Sequence, residues 1–159
     1  MKNTKEKTNV SRILDQNKIE YNSYSYQPDS TLTGSEIAHI LNIDENRMFK
    51  TLVTVGHSKH NYVFVVPVNS ELNLKKAALA VNEKSIEMVK MKDLLSLTGY
   101  IHGGCSPIGM KKFFPTVFDQ SAINFDKIVF SAGKVGHQVE VNPTDLKKVI
   151  DYKIADIKN

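Results

Sequence analysis

The sequence predicts an α+β domain organised around a mixed, curved β-sheet. Strand-favouring runs outnumber long amphipathic ones, and short hairpin joins alternate with helical crossovers along the chain. No Pro-, Gly- or Ser-rich linker and no internal repeat divides the 159 residues, so residues 1–159 are expected to form a single domain. A chain of this length hides roughly 70% of its unfolded surface, enough to build a core without disulfide or metal staples.

Val10, Ile13 and Leu14 recur on one helical face behind Thr8, which predicts a first helix running to about Asn17. Tyr21, Tyr24 and Tyr26 mark a strand-favouring stretch. Thr33-Gly34-Ser35-Glu36 has the spacing of a capping box, in which the threonine hydroxyl and the glutamate carboxylate each satisfy an amide at the helix start. Ile37, Ile40 and Leu41 form the stripe expected to be buried behind it. Met48 to Val55 and Tyr62 to Val68 are β-rich runs joined through Gly56 and His57-Ser58-Lys59-His60, the pattern of a hairpin. Asn73 is placed to cap a helix carrying Leu74, Ala77, Ala78 and Val81. Ile86 to Val89 reads as a short strand, and Met91 to Leu97 as a helix that Gly99 ends. Strands are expected at about Thr116 to Phe118, Lys127 to Phe130 and His137 to Val141, and Asn142-Pro143 opens a final helix with proline at its first position.

Lys plus Arg number 21 against 17 for Asp plus Glu, a net charge of +4. An excess of this size favours an anionic partner, and it equally serves solubility. Cys105 is the only cysteine, which excludes an intrachain disulfide and a Cys-rich zinc site. Met1 to Asn9 is Lys-rich without the apolar core of a signal peptide, and no run approaches the roughly 18 apolar residues of a membrane span. A soluble, cytoplasmic protein without membrane, metal or cofactor is expected.

In the first hairpin run the period of two sets Phe49, Thr51, Val53 and Val55 on one face and Met48, Lys50, Leu52 and Thr54 on the other. Lys50 therefore projects between apolar neighbours. Lysine is rarely buried unpaired, so Lys50 either snorkels to water from a strand edge or serves a pocket. Gly103-Gly104-Cys105-Ser106-Pro107-Ile108-Gly109 is the densest small-residue segment. It is either a structural turn or a loop that brings backbone N–H groups close to a carbonyl, carboxylate or phosphate. Ser131-Ala132-Gly133-Lys134-Val135-Gly136 is a second glycine turn, of the kind that joins two strands. Ser106 is not in a G-x-S-x-G elbow, and Cys105 is a nucleophile only if a histidine lies close in space. His57 and His60 sit in a polar turn without a third ligand, His39, His102 and His137 are isolated, and no carboxylate pair stands out.

Phe49-Lys50-Thr51-Leu52, Leu72-Asn73-Leu74-Lys75-Lys76-Ala77, Thr98-Gly99-Tyr100, Gly103-Gly104-Cys105-Ser106-Pro107-Ile108-Gly109 and Ser131-Ala132-Gly133-Lys134 stand in the order and spacing of the YbaK/EbsC family. The chain resembles that family over nearly its whole length. The resemblance implies the barrel-like sheet flanked by helices of the editing insertion domain of bacterial prolyl-tRNA synthetase. It also implies a hydrolase that deacylates mischarged tRNA in trans, with Cys-tRNA(Pro) the first substrate and Ala-tRNA(Pro) or another aminoacyl-tRNA the alternative. Prolyl-tRNA synthetase is the protein partner implied. A non-catalytic module that binds tRNA or a synthetase through the same pocket is the competing class.

By the same resemblance Lys50 is the catalytic residue. Its ammonium would hold the 3′-terminal phosphate or ribose, or stabilise charge on the ester carbonyl. Tyr26, Thr33, Thr51, Gly103, Gly104, Cys105, Ser106, Pro107, Ser131, Ala132, Gly133 and Gln138 match substrate-binding positions. The family's cysteinyl substrate is thought to attack its own ester with its thiol, which makes the enzyme chiefly a positioning device. Thr33 stands where an aromatic residue is usual, Ala132 replaces a glycine, Gln138 an acidic residue and Cys105 an aliphatic one. Thr33 and Gln138 in particular bear on pocket size and polarity, and so on substrate preference. Lys75, Lys76, Lys90, Lys92, Lys111 and Lys112 are candidates for phosphate contacts along an acceptor stem.

Overall fold

The structure, a computed structural model, describes residues 7–159; most of the Lys-rich start read from the sequence lies outside them. Among the described residues four α-helices, α1 (Asn9–Gln16), α2 (Gly34–Leu41), α3 (Leu74–Ala80) and α4 (Met91–Thr98), accompany eight strands. The strands are β1 (Tyr21–Ser25), β2 (Phe49–Gly56), β3 (Asn61–Pro67), β4 (Ile86–Met88), β5 (Thr116–Asp119), β6 (Ile128–Ser131), β7 (His137–Val141) and β8 (Tyr152–Ala155). A three-stranded sheet has the order β1-β7-β6 and a five-stranded one the order β4-β2-β3-β5-β8. The small sheet is antiparallel throughout, whereas in the large one β3, β5 and β8 run parallel. The mixed α+β architecture is the expected one.

The expected barrel-like closure is absent. β6 meets the large sheet through one parallel bridge, Met48 to Val129, because the other end of that edge of β2 is taken by β4, which pairs with Thr54–Gly56. At the opposite edge β8 pairs, among the described residues, only with β5. An ion pair reinforces the seam: the Arg47 guanidinium donates to Glu140 Oε2 at 2.6 Å, and Asn22 donates to Glu140 Oε1 at 2.7 Å. Burial disfavours the Glu140 charge, but the bonds from Asn22 and Arg47 outweigh it and hold the carboxyl below its ordinary value.

Local signals produce the elements they announce. Thr8 and Thr33 each close a capping box, Asn73 Oδ1 accepts from Lys76 N, and Gly99 ends α4 with φ of +85°. β2 and β3 pair in register from Phe49 with Pro67 to Val55 with Asn61. Phe49 and Val53 enter the largest core cluster, while Met48 and Leu52 pack into two others, so the alternation along β2 feeds different cores from its two faces. One expectation fails and one strand is missed. Ile40 is 54% exposed, because α2 docks through Ile37 and the fully buried Ala38. The helix opened by Pro143 is 3₁₀ (Pro143–Lys148), and β8 follows it unannounced.

Candidate active site

Seven stretches of chain converge on a cavity of about 710 Å³. The Ser30–Ser35 turn and the start of α2 form one side, the beginning of β2 another, and Val68, Asn69 and Glu71 follow from the end of β3. Leu94 of α4 and His102, Gly103 and Cys105 of the glycine loop face them, and Ser131 and Gln138 close the wall from β6 and β7. Each segment is held by its own local chemistry. Asp29 accepts from the amide and the hydroxyl of Thr31 at 2.9 and 2.6 Å, which folds the first turn. Gly34 is obligatory in the α2 start, since a Cβ there would lie 2.5 Å from Val68.

Lys50 is half-buried on this wall, between Phe49 and Thr51, which also line it. Among the described residues its ammonium has no hydrogen-bond or carboxylate partner. The Thr51 hydroxyl beside it is buried, again without a partner among the described residues. Cys105 cannot serve as a thiolate: burial pushes its thiol up to about 12, against a smaller opposing effect of a bond with Thr98. Ser106 is fully buried and its hydroxyl accepts from Ile108 N at 3.3 Å, so it is a turn-former and not a nucleophile. His57 and His60 are exposed on the β2–β3 turn, where His60 Nδ1 meets the Ser58 hydroxyl at 2.9 Å. Among the described residues no three His, Cys, Asp or Glu side chains gather in a way that would hold a metal ion. What the cavity offers is an ammonium without a partner among the described residues and walls of apolar side chains interspersed with the hydroxyls of Thr33, Thr51 and Ser131.

The structure brings together Lys50, Thr33, Thr51, Gly103, Cys105, Ser131 and Gln138. Tyr26, Gly104, Ser106, Pro107, Ala132 and Gly133 do not line the cavity. Tyr26 packs behind the wall on the cluster that holds Ile37 and Met48, its hydroxyl buried without a described partner. Gly104 N already donates to Ile101 O at 2.9 Å, and a Cβ on Gly104 would lie 3.1–3.4 Å from the Lys134–Val135 backbone. The two glycine loops therefore pack on each other, and Gly104 is needed for that approach. Ala132 is 2% exposed, and Gly133, with φ of +91°, leaves room for the Tyr100 ring. Pro107 faces a separate groove beside Phe113 and Val149.

Sequence reasoning missed Ser30, Asn69, Glu71, Leu94 and His102 as wall residues. His102 directly precedes the Gly103-Gly104 pair, the one signal that would have found it. Of the lysines considered for phosphate contacts, Lys76 is committed to Asp156 at 3.0 Å, while Lys75, Lys90 and Lys92 are exposed.

A half-open pocket between the two sheets, rimmed by glycine turns and carrying an ammonium with no partner among the described residues, is of the kind that takes a small molecule or the end of a larger one. Comparison with known proteins narrows that class. The family model described as aminoacyl-tRNA editing domain matches residues 29–149, and the chain belongs to that family. It is 44% identical over 157 residues, 98% of this chain and 96% of the relative, to a candidate Cys-tRNA(Pro)/Cys-tRNA(Cys) deacylase, EbsC, of Enterococcus faecalis. It is 30% identical over 122 residues to the proline–tRNA ligase of Shouchella clausii, covering 76% of this chain and 21% of that enzyme. The crystal structure of a candidate trans-editing enzyme for prolyl-tRNA synthetase superposes with a TM-score of 0.81 at 23% identity, covering 95% of both chains, which establishes the shared fold. No helix among the described residues is long and apolar enough to cross a membrane.

Proposed function

We propose that this chain, acting as one domain over residues 1–159, hydrolyses the ester of mischarged aminoacyl-tRNA in trans, with Cys-tRNA(Pro) as its first substrate. The observation that carries this is Lys50, an ammonium on the wall of a cavity large enough for an aminoacylated ribose, with no described partner to neutralise it. In the reaction a nucleophile attacks the ester carbonyl, the carbonyl oxygen gains negative charge, and the bond to the ribose oxygen breaks as that oxygen takes a proton. Lys50 stabilises the oxyanion or grips the terminal phosphate. Ser106 is buried and the Cys105 thiol stays protonated, and the substrate's own thiol or water is the nucleophile of this reading, ahead of the wall hydroxyls of Thr33, Thr51 and Ser131. Thr33, Thr51, Gly103, Cys105, Ser131 and Gln138 bound the aminoacyl group. Tyr26, Gly104, Ser106, Pro107, Ala132 and Gly133 hold the surrounding turns and core in place.

The test is release of amino acid from Cys-tRNA(Pro) and Ala-tRNA(Pro) by wild-type protein and by Lys50→Ala. Loss of one preorganised charge contact lowers the rate by about 10²–10³-fold, and Lys50, having no described partner, leaves the melting temperature where it was. Full activity in Lys50→Ala would remove the lysine from the mechanism. No release from any mischarged tRNA would leave a binding module. The ratio of the two rates decides between the thiol route and water, since alanine has no thiol to offer. Association with prolyl-tRNA synthetase would supply tRNA selectivity, and co-purification with that enzyme checks it.

A further inference from the structure

A second cavity, of about 480 Å³, lies on the other side of a thin wall. The wall is the antiparallel bridge between Leu72 and Lys158, flanked by Asn159 N donating to Glu71 O at 3.1 Å and Asn73 N donating to Ile157 O at 2.8 Å. Glu71 lines the Lys50 cavity, while Lys158 and Asn159 line the second one. The two spaces are thus lined from either side of one hydrogen-bonded pair of chain segments.

The occupancy of its polar groups says what the second cavity can take. Asp119 is fully buried and both its oxygens are engaged, Oδ1 by Ile157 N at 3.1 Å and Oδ2 by Ser121 N at 3.0 Å. Asp156 holds Lys76 with both oxygens, at 3.1 and 3.0 Å. A metal cation finds no open carboxylate here, and the Lys76 ammonium is already neutralised. The groups left open among the described residues are the side-chain amides of Gln120 and Asn124, the ammonium of Lys158 and the buried, unpartnered hydroxyl of Ser121, with Ile123, 65% exposed, as an apolar surface beside them. Amides that both donate and accept, an apolar face and a single cation at the shared wall match one nucleotide: a base with a hydrogen-bonding edge and a stacking face, joined to one phosphate.

We propose that this pocket seats the nucleotide immediately upstream of the 3′-terminal one when an RNA end occupies the Lys50 cavity, with Lys158 at the linking phosphate and Gln120 and Asn124 on the base edge. The proposal rests on the deacylase function, and the experiment separates the two. Hydrolysis of an aminoacyl-adenosine, which reaches only the first cavity, is compared with that of an aminoacylated RNA minihelix for wild type, Gln120→Ala, Asn124→Ala and Lys158→Met. In parallel, the trinucleotide CpCpA and free CMP are titrated into each protein by NMR. Gln120 and Asn124 are exposed without described partners, so these variants fold. The ratio of minihelix to aminoacyl-adenosine kcat/KM is expected to fall about tenfold per variant, and CpCpA is expected to shift the amide resonances of Gln120 and Asn124 in wild type. An unchanged ratio, CpCpA shifts confined to the Lys50 cavity, or CMP binding as tightly as CpCpA would each overturn the subsite. If wild type hydrolyses neither ester the deacylase function fails, and the titration still decides the pocket.

Discussion

Glu140→Ala tests whether the seam between the two sheets depends on one carboxylate. Glu140 is 6% exposed and accepts from Arg47 at 2.6 Å and from Asn22 at 2.7 Å. Removing it leaves a guanidinium and an amide facing a void beside the Met48–Val129 bridge. Breaking a buried ion pair costs about 3–5 kcal/mol. The Arg47 side chain is 25% exposed and recovers some hydration, so about 3 kcal/mol is expected. For a chain of this size that lowers the melting temperature by about 6–12 °C. The assay is thermal and urea unfolding of Glu140→Ala, Arg47→Ala and the double variant, in which the pair shows coupling of at least about 1 kcal/mol. Coupling below about 0.5 kcal/mol would refute the seam argument. The sign of the pH dependence follows from the same contacts. The folded carboxyl titrates below its unfolded value, so its contribution is complete at neutral pH and is lost as pH falls through the folded value. The stability gap between wild type and Glu140→Gln therefore narrows below roughly pH 4.

Two further predictions use the glycine loop. With its thiol held near 12, Cys105 should be alkylated by iodoacetamide at pH 8 about 10³-fold more slowly than a free thiol; mass spectrometry reads the rate, and labelling at the free-thiol rate would contradict the burial. Gly109 has φ of +77°, and a Cβ there would lie 2.5 Å from Asn9 Nδ2 and 2.9 Å from the Tyr100 hydroxyl, so Gly109→Ala should destabilise by about 2–3 kcal/mol. At Gly99, φ +85°, the nearest atom would be Lys111 Cβ at 3.9 Å, so Gly99→Ala carries only the backbone strain, about 1 kcal/mol; equal losses in urea unfolding would refute the distinction.

The elements that were legible are those whose cause is local. The capping boxes at Thr8 and Thr33 place donor and acceptor three residues apart, so the sequence contains the whole interaction. The β2–β3 hairpin is legible because its turn and both faces lie within 20 residues. β8 was not legible: Tyr152-Lys153-Ile154-Ala155 is short, its strand partner β5 lies far upstream in the sequence, and nothing nearby signals that partner. The failure at Ile40 is of the same kind, since which stripe of an eight-residue helix is buried depends on what Ala38 meets.

The candidate site divides along the same line. Lys50 could be found because a cation between Met48 and Leu52 contradicts its own strand, an inconsistency contained in five residues. The walls could not, because Ser30, Asn69 and Glu71 are ordinary polar loop residues until the seam at Met48–Val129 and the packing of Gly104 on Lys134–Val135 bring their loops to one place. Glycine marks a close approach without saying what approaches: here one glycine loop meets the other, Gly103 borders the cavity, and Gly104 supports it from behind. A substitution at Gly104 should therefore disturb the cavity through loop displacement, whereas one at Lys50 removes a charge and leaves the shape. Activity lost with an intact fold at position 50, and activity and stability lost together at position 104, would be the signature of that division.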